Sequence, residues 1–268
     1  MRLTRVFVDG ALVPGSMLDL ARDTASHLAK VLRVRSGDEF ILFNGDGREF
    51  TAVIDAVRGS HVSASIGAAR TIDRESPFTL TLVQCVPRGD RMDFVVQKAT
   101  ELGVARIAPV LSQRSVVRLH EAQAASKQAH WRAVAVSACE QCGRNRLPAV
   151  EAPQSLLNYL GAAASGETPG LLRLVLEPEG AAPSAQPTPL IDSHAAAPLG
   201  GAVIAIGPEG GFAPEELEAF ALSGFSRVRF GPRVLRTETA AIAAIAVLQA
   251  RFGDMSVVSD GSSRAADS

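Results

Sequence analysis

The chain is poor in the residues that anchor many kinds of site chemistry. Its 268 residues hold 3 cysteines, 5 histidines and a single tryptophan, and so odd and low a cysteine count argues against a disulfide framework. Cys139 and Cys142 form a C-x-x-C pair, yet only His130 lies nearby, so a second pair of zinc ligands is lacking. Thiols buried on a helix, or lining a site, are the better reading of "WRAVAVSACEQCGRNR". No metal site is expected. None of the histidines stands in a pattern with a serine or cysteine nucleophile, which removes the familiar hydrolase constellations. No apolar run approaches the roughly 20 residues that cross a bilayer, and "MRLTRVFVDG" lacks the apolar stretch of a secretory signal. The expectation is a cytoplasmic protein with no membrane partner. A net charge of −1 excludes a uniformly basic nucleic-acid binder.

Charge is nevertheless uneven. Between Arg88 and Arg146 ten Lys/Arg face five Asp/Glu. A local basic face suits a phosphate-rich partner, although a solvated helix face with surplus arginines reads the same way. Hydrophobic residues make up 47% of the chain, ample for a packed core.

The first seventy residues read as all-β. "DEFILFNGDGREFTAVIDAV" sets two β-rich runs around an Asn-Gly-Asp-Gly turn, and "SHVSASIGAA" alternates with a period of two. "DTASHLAKVLRV" predicts one helix among them. A small β-barrel over residues 1–72 follows. From residue 73 the pattern turns to alternating strands and helices, which predicts an α/β domain with a mainly parallel sheet over residues 73–256. Its helices are "DRMDFVVQKATELG", "EAQAASKQAHWRAVAVSACEQC", one opening at Pro214, and "TETAAIAAIAVLQARFG". The Ala/Pro-rich stretch 179–201 and the tail 257–268 read as mobile. No internal repeat is present.

Three strand ends of the α/β half finish in unusual turns: "LVLEPEG", "IGPEGGF" and "FGPRVLRTETA". Glycine permits positive φ and close approach to the backbone, and N–H groups at a helix start are free to meet a ligand. In open α/β sheets ligands sit at the carboxyl ends of strands, so three such turns point to one site. Neither the P-loop nor the dinucleotide fingerprint fits "GPEGGF". A mere strand-to-helix turn, with Pro214, Glu215 and Glu216 as ordinary helix-start residues, is the plainer alternative.

Taken together, "IGPEGGF", "LRTETAA", "QKATELGV", "EQCGRNRLP" and "HLAKVLRVRSGDE" resemble the bacterial ribosomal RNA small subunit methyltransferase E family, of the SPOUT class of knotted methyltransferases. The likeness runs from the first residues to about Phe252. It implies a PUA-like RNA-binding barrel, a catalytic domain with a trefoil knot near residues 200–252, and a homodimer. S-adenosylmethionine would be the methyl donor, and the substrate N3 of one uridine near the decoding end of 16S rRNA in the 30S subunit.

Carried over residue by residue, the resemblance puts Leu176, Glu177, Gly207, Pro208, Gly210, Gly211, Leu235, Arg236 and Thr237 in the cofactor pocket. Thr237 reads equally as a helix N-cap. Because uracil N3 carries a proton that must leave, Glu209 is a candidate to manage proton or anion, and Arg236 to meet developing oxygen charge or the cofactor carboxylate. Glu209 could instead tie its loop to a basic side chain. Arg88, Arg114 and Arg144 are candidates for RNA phosphate, with helix-flank charge the alternative for Arg88. A non-catalytic RNA-binding protein, and a methyltransferase with another RNA target, are the competing readings.

Overall fold

A computed structural model describes residues 3–115, 117, 121–164, 170–177 and 200–256. The Ala/Pro-rich stretch up to residue 199 and the tail from residue 257, both expected to be mobile, lie outside them, as does Arg118 of the basic region.

Five strands, β1 (Arg5–Phe7), β2 (Met17–Asp19), β3 (Glu39–Phe43), β4 (Arg48–Arg58) and β5 (His61–Thr71), form the front sheet in the order β1-β3-β4-β5-β2. Its pairings are antiparallel except β1 with β3. Alternation decides the burial: Val62, Ala64 and Ile66 of β5 face the core, while Ser63 and Ser65 between them stay partly exposed. The expected single helix between β2 and β3 divides into α1 (Arg22–His27) and a π-helical turn, Leu28–Leu32. Arg33 then takes a left-handed φ of 52°. Ala25 and Leu28 of this segment close the front core over Phe40, Leu42, Phe50 and Ile54.

The second sheet takes β6 (Thr79–Cys85), β7 (Arg106–Leu111), β8 (Ala149–Val150), β9 (Gln154–Ser155), β10 (Leu171–Leu176), β11 (Gly201–Ile206) and β12 (Ser226–Val228). Its order is β12-β10-β11-β6-β7-β8, with β9 also on β7, and every pairing is parallel. Helices cover both faces: α2 (Arg91–Glu101), α3 (Glu121–Cys142), α4 (Leu156–Ala164), α5 (Pro214–Leu222) and α6 (Thr237–Phe252). Leu80, Leu82, Ile204 and Leu174 pack toward α2, α3 and α6, whereas Val83, Cys85, Val203 and Ala205 meet α4 and α5. All six residues of β11 are buried, as a strand covered on both faces requires. Helix α2 buries Met92, Val95, Val96, Ala99 and Thr100, the spacing of one helical face.

The front sheet is clamped on the C-terminal half of α3. Arg5 Nη1 donates to Glu49 at 2.7 Å and Arg5 Nη2 to Asn145 Oδ1 at 2.5 Å. Glu140 Oε1 accepts from the Phe7 N–H at 3.0 Å. Arg144, only 4% exposed, pairs with Glu75 and donates to the carbonyls of Thr100 (2.8 Å) and Val104 (3.0 Å). That corrects the expectation for Arg144. Its guanidinium is used up inside the protein and presents no surface charge to RNA.

The C-x-x-C pair sits in the last turn of α3 with both thiols free. The Cys139 thiol donates to the Arg146 carbonyl at 3.6 Å; its closeness to Cys142 holds the Cys142 thiol below the usual thiol range against an opposing burial effect, while the same closeness and burial push Cys139 up. Among the described residues no group of three or more His, Cys, Asp and Glu is placed to hold a metal, and no helix is long and apolar enough to cross a membrane.

Candidate active site

The carboxyl ends of β10, β11 and β12 open on one side of the parallel sheet, and the three turns read from the sequence meet there around a cavity of about 280 Å³. Leu176 and Glu177 follow β10; Gly207, Pro208, Glu209 and Gly211 follow β11; Leu235, Arg236 and Thr237 lead into α6. Ile206, Phe212, Phe230, Val234 and Ala240 add apolar wall. The β11 turn is tight: the Gly211 N–H donates to the Pro208 carbonyl at 3.0 Å, and Gly211 takes φ +67°, a conformation that a side chain makes costly.

Gly210 departs from expectation. It does not line the cavity but faces Arg114, whose Nη1 donates to the Gly210 carbonyl at 3.1 Å; a Cβ here would meet Arg114 Cβ at 3.5 Å. Thr237 is the first helical residue rather than the cap, which is Arg236. Its hydroxyl donates to the Gly207 carbonyl at 2.7 Å and so pins the β11 turn to the start of α6.

Glu209 Oε1 accepts from Arg91 Nη1 at 3.0 Å and from the Arg88 N–H at 3.4 Å, and among the described residues Oε2 has no partner. The carboxylate therefore ties the cavity's rim to the loop before α2. Arg88 and Arg114 are exposed beside it, so two of the three arginines expected to contact RNA flank the same opening. Behind the rim, Glu216 is buried and accepts from the N–H groups of Gln113 (2.8 Å) and Ala213 (2.9 Å), fixing α5 against the β7 turn. Arg229 and Arg233, which the sequence reading passed over, also line the cavity. Their signal was faint: one arginine at the end of a short strand and one in a loop.

Polarity and shape fit S-adenosylmethionine. The apolar walls suit an adenine ring. Glu177 Oε2 is buried with no hydrogen-bond partner among the described residues, an acceptor that a cofactor hydroxyl or amine would satisfy, since a buried unpaired carboxylate oxygen is costly. The arginines at the rim suit a carboxylate.

Comparison with known proteins agrees. The family of the RNA methyltransferase domain matches residues 74–249, and that of the RNA methyltransferase PUA domain residues 20–66. The ribosomal RNA small subunit methyltransferase E of Buchnera aphidicola is 30% identical over 95% of this chain and 99% of its own length. That of Mycobacterium bovis is 31% identical over 92% of each. Among solved structures, the enzyme of that name from Neisseria gonorrhoeae, bound to S-adenosyl methionine, superposes with a TM-score of 0.82 at 35% identity, covering 95% of this chain and all (100%) of the other. A putative methyltransferase of Legionella pneumophila, in complex with the cofactor SAM, gives 0.83 at 37% identity over the same shares. By sequence, by domain order and by fold, this chain belongs to the ribosomal RNA small subunit methyltransferase E family.

Proposed function

We propose that the protein is a cytoplasmic homodimer that methylates N3 of one uridine near the decoding end of 16S rRNA, on the assembled 30S particle, with S-adenosylmethionine as donor. The observation that carries this reading is the cavity at three strand ends, with its buried, unpaired Glu177 oxygen and its arginine rim. Residues 1–72 serve as the RNA-binding front domain and residues 73–256 as the catalytic domain, threaded as a trefoil knot between about 200 and 252. Exposed apolar groups on α2 and α6, Phe94 at 46% and Val247 at 40%, support a partner copy against those helices.

Leu176, Glu177, Gly207, Pro208, Gly211, Leu235 and Thr237 hold the cofactor, with Gly210 behind the turn. When bound, S-adenosylmethionine supplies an electrophilic methyl group on a sulfonium. The chain's own part is to freeze the base, because positioning provides much of the rate. Arg88 and Arg114 hold RNA phosphate, Arg236 faces the oxygen charge that develops as the N3 proton leaves, and Glu209 Oε2 takes that proton while Arg91 holds Oε1.

The test is incubation with labelled S-adenosylmethionine and either 30S particles or naked 16S rRNA from a strain lacking this enzyme, followed by mapping of the product. Label at N3 of a single uridine, with particles preferred, is expected. Label at another base would change the target, and a folded, cofactor-binding protein that labels neither substrate would be a binding protein only.

A further inference from the structure

The parallel sheet carries one polar side chain that the site as described leaves unused. Gln84 stands near the carboxyl end of β6, in register with Ile206 of β11 and Pro109 of β7, and it is fully buried (0% exposed). An amide in such a place must find partners or destabilise the fold. Gln84 Nε2 donates to the Cys85 carbonyl at 2.9 Å and to Thr237 Oγ1 at 3.0 Å, and Thr237 Oγ1 donates onward to the Gly207 carbonyl at 2.7 Å. The orientation of the amide is determined, because turning it over would set its oxygen against the Cys85 carbonyl.

From this chain of bonds we infer that Gln84 is a positioning residue for the cofactor turn. A threonine hydroxyl rotates freely and has one proton to give. With the Gln84 N–H occupying a lone pair of Thr237 Oγ1, that proton is directed at Gly207, and each bond in the relay polarises the next. Gln84 thereby fixes the Gly207 peptide plane, and with it the turn through Gly211, from behind the sheet. It does not line the cavity itself. Its oxygen Oε1 is buried without a partner among the described residues, so the residue is retained at some cost to stability. This inference rests on the cofactor reading above.

Its test uses Gln84→Met, of similar volume, with Thr237→Val and Thr237→Ser in the full-length protein. The probe is S-adenosylhomocysteine in calorimetry, with melting temperature and rRNA affinity measured alongside. Gln84→Met is expected to weaken binding roughly 5- to 30-fold, the range set by loss of an interaction of this kind. The melting temperature should fall only slightly, because removing the unpartnered Oε1 offsets the donor that the Cys85 carbonyl loses, and rRNA affinity should not move. In turnover KM for the methyl donor should rise while kcat stays near the parent value. Thr237→Ser, which keeps the hydroxyl, should bind like the parent, and Gln84→Met combined with Thr237→Val should be little worse than the weaker single variant. Parent-like affinity in Gln84→Met, or additive losses in the double variant, would overturn the inference. If Gln84→Met does not fold, Gln84→Leu is read in the same way: parent-like affinity for the probe would overturn the inference, and a loss of affinity with unchanged rRNA binding would support it. Failure of the parent to bind the probe would instead bring down the cofactor reading, and the inference with it.

Discussion

The two sheets of this protein treat polar residues in opposite ways. In β5 of the front sheet every second side chain faces outward, so serines there cost nothing and Ser65 simply bonds Asp55 at 2.8 Å. In β11 of the parallel sheet all six positions are buried, and its neighbour β6 admits Gln84 only with two acceptors in reach. A one-sided sheet tolerates polar residues; a two-sided sheet admits one only with partners, and such a residue then marks a task. The joint between the halves follows the second rule, since Arg5 and Arg144 are both buried there and each is paired, Arg5 with the buried Glu49 and Arg144 with the half-buried Glu75.

The largest effect is expected at that joint. Arg144→Met should lower stability by about 3 kcal/mol or more, because it strands the Glu75 carboxylate and two backbone carbonyls. Denaturant titration checks this, and a variant as stable as the parent would put Arg144 back on the surface. Next come the glycines. A Cβ on Gly201 would collide with the Thr79 carbonyl oxygen, which is backbone in a central strand, whereas one on Gly67 would press 2.5 Å from Thr51 Oγ1, a side chain that can turn. Gly201→Ala should cost about 3 kcal/mol and Gly67→Ala about 1 kcal/mol, in the range for overpacking. Equal losses would erase the contrast between the sheets.

A smaller effect belongs to Arg114→Glu, which should reduce rRNA affinity roughly tenfold, about 1.4 kcal/mol, and flatten its salt dependence. Melting temperature should stay near the parent value, the reverse of Arg144→Met, and S-adenosylhomocysteine affinity should fall less than rRNA affinity, since only the bond to the Gly210 carbonyl is lost. The smallest concerns pH. Burial raises the Glu49 carboxyl, but its bonds to Arg5 and Arg74 outweigh that and hold it below the usual range. A lowered folded value means that the joint's stabilisation is complete above the unfolded value, about 4.3, and is lost as pH falls through the folded one. Glu49→Gln should therefore be less stable than the parent at pH 6, with the gap closing at more acid pH. A gap that persists at low pH would assign it to packing.

Much of the α/β half was legible because local periodicity encodes it: the bounds of α5 and α6 follow from Pro214, from Thr237 and from the apolar spacing behind them. Helix α4 was not foreseen, since "LLNYLGAAA" is too short and uniformly apolar to show a period. At the site, the three glycine- and proline-marked turns were legible, but the direction of Gly210 and the partners of Arg144 were not. Arg144 meets Glu75 and lies beside Asn145, which binds Arg5, so its role is set by residues far apart in the chain that no local pattern couples. Gln84 did leave a trace, as a lone amide in an apolar strand.

The cavity walls also carry a consequence for synthesis. Every residue that lines the cavity lies between Leu176 and Ala240, whereas the front core is complete by Ile66. Chains fold broadly from the N-terminal domain onward as they leave the ribosome, at roughly 5–20 residues per second. The front core is thus synthesised roughly ten to thirty seconds before the cavity is complete. A nascent or truncated chain that stops short of Thr237 would possess the front core without the wall that α6 adds to the cavity, and so no means of transferring a methyl group.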